Sequence, residues 1–201
     1  MPTHRPYIVA IGGTTRPGSS TERALRHALA TMDAQTVLLC GGDLDLPLYA
    51  PHAPARTPAV ARVLEHLRRA DGVILGSPGY HGGISGAIKN VLDYTEELRD
   101  DERPYLSGRA VGCVATAAGH QGAATTLSAL RDIVHALRGW PTPLGVCVSG
   151  SEPAFSADGR CLSAQVDQQL RILGQEVLDF ARARRLAAAQ PSPLQPIAKA
   201  A

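Results

Sequence analysis

Five short apolar runs punctuate the chain, and within each the apolar character is nearly continuous rather than alternating. They are Tyr7–Ile11, Thr36–Cys40, Gly72–Gly76, Ala110–Thr116 and Leu144–Val148. A strand with one wet face alternates apolar and polar side chains, whereas a strand covered on both faces does not. The pattern therefore predicts five parallel strands, each buried on both faces.

Helix-length segments with apolar residues at three- and four-residue spacing separate these runs. They are Thr21–Thr31, Pro58–Arg69, Gly86–Leu98, Ala123–Leu137 and Gln165–Arg185. Strands alternating with helices predict one doubly wound α/β domain, and five strands favour the flavodoxin-like order 2-1-3-4-5. We expect this domain to occupy residues 1–186 and the Ala- and Pro-rich residues 187–201 to form a disordered tail.

Composition narrows the function without identifying it. The 201 residues are 44% hydrophobic and 19% charged, and a net charge of +2 with no basic patch argues against nucleic acid. No segment predicts a signal peptide or a membrane span, so we expect a cytoplasmic protein. Cys40, Cys113 and Cys147 lie in strand-like runs and are expected to be small buried side chains. No cysteine or histidine spacing predicts a metal site.

The loop after the first strand, "GGTTRPGSST" at Gly12 to Thr21, is unusually rich in hydrogen-bond donors. Its glycines let backbone N–H groups approach a ligand, Arg16 adds a guanidinium, and a helix begins directly behind it. A helix cap alone needs one hydroxyl, and this loop offers several. The motif is neither a Walker loop nor GxGxxG, so it predicts a site for a terminal monophosphate. The hydroxyls come from Thr14, Ser19, Ser20 and Thr21.

The loops after strands three and four complete the predicted site, because ligands of such sheets bind at the carboxyl ends of the strands. "GSPGYHGGISGAIKN", at Gly76 to Asn90, offers a flat glycine-lined surface with an aromatic edge, as a flavin requires. Tyr80 is equally compatible with packing, and His81 with an exposed loop position. "TAAGHQGA", at Thr116 to Ala123, again places small residues between a strand and a helix.

These three loops resemble the NADPH-dependent FMN reductases of the flavodoxin-like superfamily, a family that includes quinone, chromate and azo-dye reductases. The first loop is similar to the family motif G-S-x-R-x-x-S, with Thr14 at the usual serine. "SPGYHGGISGAIKNVLDY" is similar to S-P-x-Y-x-x-x-x-x-G-x-L-K-N-x-L-D, with Gly79 at the variable position and Ile88 for the leucine. The resemblance extends over residues 7 to 180.

The resemblance implies non-covalent FMN, hydride transfer from NADPH to flavin N5, and no catalytic nucleophile. His81 is a candidate proton donor to a quinone-like acceptor. The residues implied for the 5′-phosphate are Thr14, Arg16, Ser19, Ser20 and Thr21. Those implied for the ring and ribityl chain are Pro78, Gly79, Tyr80, His81, Gly82 and Gly83. Thr116, Gly119 and His120 are expected near the pyrimidine edge.

The resemblance also implies a homodimer or homotetramer, with helix three at the interface. Lys89 and Asp93, four residues apart, are either an ion pair of that interface or an ordinary surface pair. Three arginines are candidates for the 2′-phosphate of NADPH: Arg16, Arg56 and Arg109. The long loops Gly41–Thr57, with Tyr49 and His52, and Ser149–Ser163 are expected to line the pocket of the second substrate.

The electron acceptor stays open at this stage. It is free flavin, a quinone or a related small molecule, and a flavin-dependent monooxygenase is a candidate partner. One alternative is a dedicated quinone, nitro or azo reductase, or an FMN-dependent oxidoreductase acting on one biosynthetic metabolite. A flavodoxin-type electron carrier is disfavoured by the +2 charge and the 4% aromatic content. A binding module without cofactor is disfavoured by the intact first loop.

Overall fold

The computed structural model describes residues 5–150 and 152–188, which form one parallel sheet flanked by helices. The strands are β1 (Tyr7–Gly12), β2 (Gln35–Leu39), β3 (Gly72–Pro78), β4 (Ala110–Ala117), β5 (Trp140–Pro141) and β6 (Val146–Ser149). The helices are α1 (Ser20–Ala30), α2 (Pro58–Arg69), α3 (Gly86–Tyr94), α4 (His120–Ala136) and α5 (Ala164–Ala188). Short 3-10 helices cover Gly41–Leu44 and Thr95–Leu98.

The sheet confirms the predicted order, since its strands run β2-β1-β3-β4-β5 and every pairing is parallel. The last position, however, holds two short strands. β5 pairs with the beginning of β4 and β6 with its end. The predicted strand from Leu144 starts only at Val146, because Pro143 has no N–H and the Leu144 amide donates to Glu176 Oε2 at 3.0 Å.

Side chains of the inner strands β1, β3 and β4 alternate between two hydrophobic cores, as the double burial predicted. The prediction was wrong for the edge strand β2, where Gln35 and Thr36 are exposed because no strand covers its outer side. Along β1, Ile8 and Ala10 face the core under α1 and α5. Val9 and Ile11 face the core under α2, α3 and α4. All four are fully buried. The sheet is thus closed on both faces, and only its edges and strand ends are available to ligands.

Helix ends follow local capping chemistry and differ from the predictions by a few residues. Ser19, Thr57 and Ser85 cap α1, α2 and α3 through their side-chain oxygens. α4 begins at His120, three residues earlier than expected, and the predicted third helix changes to a 3-10 turn after Tyr94. α5 continues through Ala188, so the first two residues of the predicted tail are helical; residues 189–201 lie outside the described residues.

The described part of the chain contains neither a helix long and apolar enough to cross a membrane nor a metal-binding cluster of three or more His, Cys, Asp or Glu side chains. Burial raises the pKa of the Cys113 thiol to about 12, and burial also raises the pKa values of Cys40 and Cys147. These thiols therefore stay protonated at neutral pH. Cys113 is buried as expected, whereas the expectation was wrong for Cys40 and Cys147, which are only partly buried because they lie beside or within the edge strands β2 and β6.

Candidate active site

A cavity of about 600 Å³ opens at the carboxyl ends of β1, β3 and β4. It lies where the strand order reverses, between β1 and β3, as expected for a doubly wound sheet. Nine predicted site residues line it: Thr14, Arg16, Ser19, Ser20, Thr21, Pro78, Gly79, Tyr80 and Thr116. The first loop (Gly12–Thr21), the turn after β3 (Pro78–Gly83, here called the ring loop) and the end of β4 therefore share one cavity.

Two buried hydroxyls in the first loop are positioned to donate. Ser19 Oγ accepts the backbone N–H of Glu22 at 3.2 Å, and Thr14 Oγ1 accepts that of Arg16 at 3.1 Å. Each oxygen is thereby oriented while its own O–H is left for another acceptor. The first N–H groups of α1 have no partner within the helix, and the helix dipole favours an anion there. Backbone, hydroxyls and Arg16 together offer the kinds of donor that an anion needs.

A carboxylate on the first turn of α1 fixes the shape of the first loop. Glu22 accepts the N–H of Gly18, a residue in the left-handed region at φ 64°, at 2.8 Å. The hydrogen bond from Arg26 holds the pKa of Glu22 below its ordinary value, with the Gly18 amide contributing as well. Glu22 is therefore ionised at neutral pH and its charge is directed into the loop backbone and Arg26.

A hydroxyl pair joins the first loop to the end of β4. Thr21 Oγ1 and Thr116 Oγ1 lie 2.7 Å apart and both side chains are buried. One hydroxyl must donate to the other, so only one O–H of the pair remains for a ligand. The Thr21 side chain thus acts chiefly as a link between loops, and its backbone N–H is the group available to a phosphate.

The ring loop is a tight turn in which Tyr80 and Gly83 exchange backbone hydrogen bonds of 3.0 Å. His81 and Gly82, at the tip, both have positive φ, 51° and 82°. The Gly79 amide is already used by Thr116 O at 2.7 Å. No described residue accepts from the amides of His81 or Gly82, so these are the donors that the turn offers to a bound ring.

Close packing requires glycine at position 79, although the motif leaves this position variable. A Cβ there would lie 2.6 Å from Thr126 Oγ1 and 3.1 Å from the Gly122 carbonyl. Both atoms belong to α4, so the ring loop lies directly against that helix. By contrast, a Cβ on Gly82 or Gly83 would contact nothing within 4 Å, and these two glycines leave an open surface.

Comparison with known proteins decides which family this site belongs to. Residues 6–153 match the family model described as NADPH-dependent FMN reductase. The chain belongs to this family. It is 30% identical over 173 residues to an NAD(P)H-dependent FMN reductase of Pseudomonas aeruginosa, covering 83% of this chain and 92% of the relative.

Two further likenesses agree with this assignment. The chain is 30% identical over 161 residues to an FMN-dependent NADPH-azoreductase of Staphylococcus aureus, covering 76% of this chain and 80% of the relative. Its fold is similar to that of a WrbA-like flavodoxin from Agrobacterium tumefaciens, with a TM-score of 0.61, 18% identity and 89% and 99% of the two chains covered. The predicted family, enzyme class, flavodoxin-like fold and cofactors FMN and NAD(P)H are thus confirmed.

The residues of this FMN reductase-family chain fit FMN. The first loop lines the cavity and supplies donors to a phosphate. Pro78, Gly79 and Tyr80 line the cavity as well, and the amides of His81 and Gly82 belong to the adjoining turn. Tyr80, with 58% of its side chain exposed, stands at the rim of the cavity as an aromatic edge. The site offers hydrogen-bond donors and a flat surface, and the described residues bring no thiolate or metal cluster to it.

Five predicted cofactor residues lie beside the cavity rather than on its lining: His81, Gly82, Gly83, Gly119 and His120. His120 instead lines a second cavity of about 800 Å³, where its Nδ1 lies 2.7 Å from Ser149 Oγ. Gly119 is the residue before α4 and contributes no side chain. Their contact with a flavin remains a prediction.

The segment after β6 contributes to the cofactor cavity more than the sequence predicted. Its residues form a wall shared by both cavities, whereas the sequence predicts that the loop Ser149–Ser163 lines only the pocket of the second substrate. The shared lining residues are Ser149, Gly150, Glu152, Pro153 and Ala154. Ala117, Ala118 and Val148 were also missed; they are small or apolar, and only their position after a strand distinguishes them.

Arg109 was wrongly considered for the 2′-phosphate of NADPH. It precedes β4, at the amino ends of the strands, and only 1% of it is exposed. Its guanidinium donates to backbone carbonyls of Arg68, Ala70, Tyr105 and Ser107 at 3.0 to 3.3 Å. Burial lowers its pKa to about 10, which still leaves it charged at neutral pH. Of the other two candidates, Arg16 lines the cofactor cavity, and Arg56 pairs with Glu97 at 3.2 Å.

Two other predicted features are placed away from the cofactor cavity. Tyr49 packs edge-on against Tyr94, 5.1 Å between ring centres, and its amide donates to Asn90 on α3. Neither Tyr49 nor His52 lines either of these two cavities. Their place in a second-substrate pocket remains a prediction. Lys89 and Asp93 form an exposed ion pair of 2.6 Å on α3. Its role at an interface stays a prediction.

Proposed function

We propose that this protein binds FMN in the cavity between β1 and β3 and uses it to oxidise NADPH or NADH, reducing free flavin or a small-molecule acceptor. The observation that carries the proposal is that the donor-rich first loop and the residues Pro78, Gly79 and Tyr80 of the next loop line one cavity. Bound flavin would supply the chemistry of hydride acceptance and electron release. The chain itself supplies binding, orientation and electrostatics.

The proposed roles divide along the cavity. Thr14, Ser19 and Arg16, with the first amides of α1, hold the 5′-phosphate through charge-assisted hydrogen bonds. Pro78 and Tyr80 border the ring, and the amides of His81 and Gly82 donate to its polar edge. Donors fixed by the fold need no reorganisation when negative charge grows on that edge. No side chain is assigned as a nucleophile; the exposed His81 is proposed as a proton donor to the acceptor.

The second cavity, which shares its wall with the first, is proposed to take part of the second substrate. Among the described residues its lining is mainly neutral, with Glu152 as the one carboxylate and His120 as the one imidazole. A negative charge at the wall disfavours anionic acceptors and favours uncharged ones, such as quinones.

Replacing Glu152 with glutamine is expected to raise kcat/KM about fivefold for a sulfonated naphthoquinone and to leave the uncharged naphthoquinone within twofold. Glu152 is exposed, and one like-charge repulsion across about 4 Å of water amounts to about 1 kcal/mol, which gives this factor. The measurement is steady-state NADPH oxidation with each quinone. Glu102→Gln, an exposed site of equal charge outside both cavities, is the matched control. Equal ratios in both variants would refute the assignment of Glu152.

Oligomer, location and partner remain part of the proposal. We propose a cytoplasmic homodimer or homotetramer in which α3, with its exposed Lys89–Asp93 pair, contributes to the interface. A flavin-dependent monooxygenase is the proposed recipient if reduced flavin leaves the protein. The enzymatic proposal is tested by NADPH and NADH oxidation with and without added FMN. Oxidation that needs FMN and saturates with the acceptor supports it, and FMN-independent or absent turnover contradicts it.

A further inference from the structure

We propose that Ser85 is a positioning residue that couples the first loop to the ring loop, so that the two ends of FMN are bound cooperatively. This inference rests on the proposed function, because it concerns how that same cavity is held in shape. Ser85 does not line the cavity, and its side chain is buried. Its effect must therefore pass through the backbone segments that it joins.

Ser85 makes hydrogen bonds to three different parts of the site. Its Oγ donates to the carbonyl of Gly13, in the first loop, at 2.5 Å. The same oxygen accepts the N–H of Ile88 at 3.2 Å and so caps α3. Its backbone N–H donates to Ser77 Oγ, near the end of β3 where the ring loop begins, at 2.9 Å. One serine thus uses both its side chain and its amide to hold the two ligand-binding loops.

The contact between these loops is close enough to require glycine at position 13. A Cβ on Gly13 would lie 2.7 Å from Ser85 Oγ and equally close to Ile88 Cβ. Gly13 also donates its N–H to the carbonyl of Gly76, in β3, at 2.7 Å. Glycine at this position therefore allows the start of α3 to pack closely against the first loop, in addition to any close approach of a ligand.

The bonds continue from Ser85 into the turn that faces the ring. Ser77 Oγ, which accepts from Ser85, donates to the carbonyl of Pro78 at 2.9 Å. Pro78 itself lines the cavity. A buried, fully bonded network has few alternative arrangements, so a shift at Gly13 is transmitted to Pro78. A phosphate that fixes the first loop thereby also orders the ring loop, and the affinity for the whole ligand rises.

The experiment compares FMN with riboflavin, which lacks the phosphate, in the full-length protein. The quantity is the ratio of the two dissociation constants, measured by flavin fluorescence quenching well below the unfolding temperature. Ser85→Ala is expected to lower the riboflavin-to-FMN ratio about tenfold, because the phosphate no longer helps to order the ring loop. Ser85→Thr, which retains the hydroxyl, is expected to restore most of it.

Thr57→Ala is the matched control, because Thr57 also caps a helix, accepting the N–H of Val60 at 3.3 Å. Its loss should lower stability to urea as the loss of Ser85 does, yet leave the ratio within twofold. A ratio in Ser85→Ala equal to that in Thr57→Ala would reduce Ser85 to a cap and overturn the inference. If Ser85→Ala does not fold, Ser77→Ala tests the same link, with the same tenfold fall expected and an unchanged ratio as the refutation.

Failure of this inference and failure of the proposed function give different results. If the wild-type protein binds FMN and oxidises NADPH but Ser85→Ala keeps the wild-type ratio, only the coupling is wrong. If the wild-type protein binds neither flavin, the cavity has been wrongly assigned and both proposals fall together.

Discussion

Replacing Arg16 with alanine is expected to raise the dissociation constant of FMN about 10- to 100-fold. The phosphate of FMN is a dianion near neutral pH, and Arg16 is the charged side chain of the loop that forms its proposed site. Hydrogen bonds to charged groups contribute about 1.5–3 kcal/mol, which corresponds to this range. The measurement is a titration of the apoprotein with FMN at low ionic strength, where screening is weak.

Two controls isolate the charge at Arg16 from a general effect. Riboflavin, which has no phosphate, should bind Arg16→Ala and the wild type with affinities within twofold of each other. Arg182→Ala removes the same charge from the far end of α5, where Arg182 pairs with Asp33 at 3.4 Å, and should leave FMN binding unchanged. An equal loss of riboflavin affinity in Arg16→Ala would show that the loop had rearranged and would contradict the phosphate assignment.

Replacing Arg109 with methionine is expected to lower the free energy of unfolding by about 3–5 kcal/mol. The side chain satisfies four backbone carbonyls in a buried place between β4 and the end of α2. Methionine fills similar space but donates no hydrogen bond, and a buried unsatisfied polar group costs roughly 1–3 kcal/mol. The total stays below the simple sum because the segment relaxes and admits water. Urea unfolding followed by circular dichroism measures the difference.

Arg56→Met is the comparison that makes the Arg109 result specific. Arg56 also has a hydrogen-bonded partner, Glu97, but 82% of its side chain is exposed. Exposed pairs contribute about 0–1 kcal/mol, so its unfolding midpoint should barely move. If the two variants lost the same stability, the buried network around Arg109 would have no special role in holding the amino ends of the strands.

The fold was largely predictable because its signals are local. Buried parallel strands are continuous apolar runs, and the order of the sheet follows from their alternation with helices. The split of the last strand was not predictable from hydrophobicity, since Leu144 is apolar like its neighbours. Its amide leaves the ladder for Glu176, 32 positions away, and only the packed structure brings that carboxylate within reach.

The site was predicted best where its chemistry lies in side chains. Thr14, Ser19 and Arg16 were recognised as donors grouped around a helix start, and the structure brings them to one cavity. Arg109 was wrongly included although it directly precedes the predicted strand Ala110–Thr116, because its charge was considered without its position at the amino end of that strand. In the sequence, Ser85 is only the residue before the predicted third helix. Its bonds to Gly13 and Ser77 depend on tertiary contact between segments that no sequence spacing links.

The most direct test of the account is the absorbance spectrum of the purified protein, first with FMN added and then with NADPH in anaerobic excess. The account predicts that one FMN per chain is retained after gel filtration or binds saturably, with flavin bands that bleach on addition of NADPH. A protein that takes up no FMN under these conditions would contradict the assignment of the cavity between β1 and β3. A protein that binds FMN without bleaching would keep the site and reject the proposed reaction.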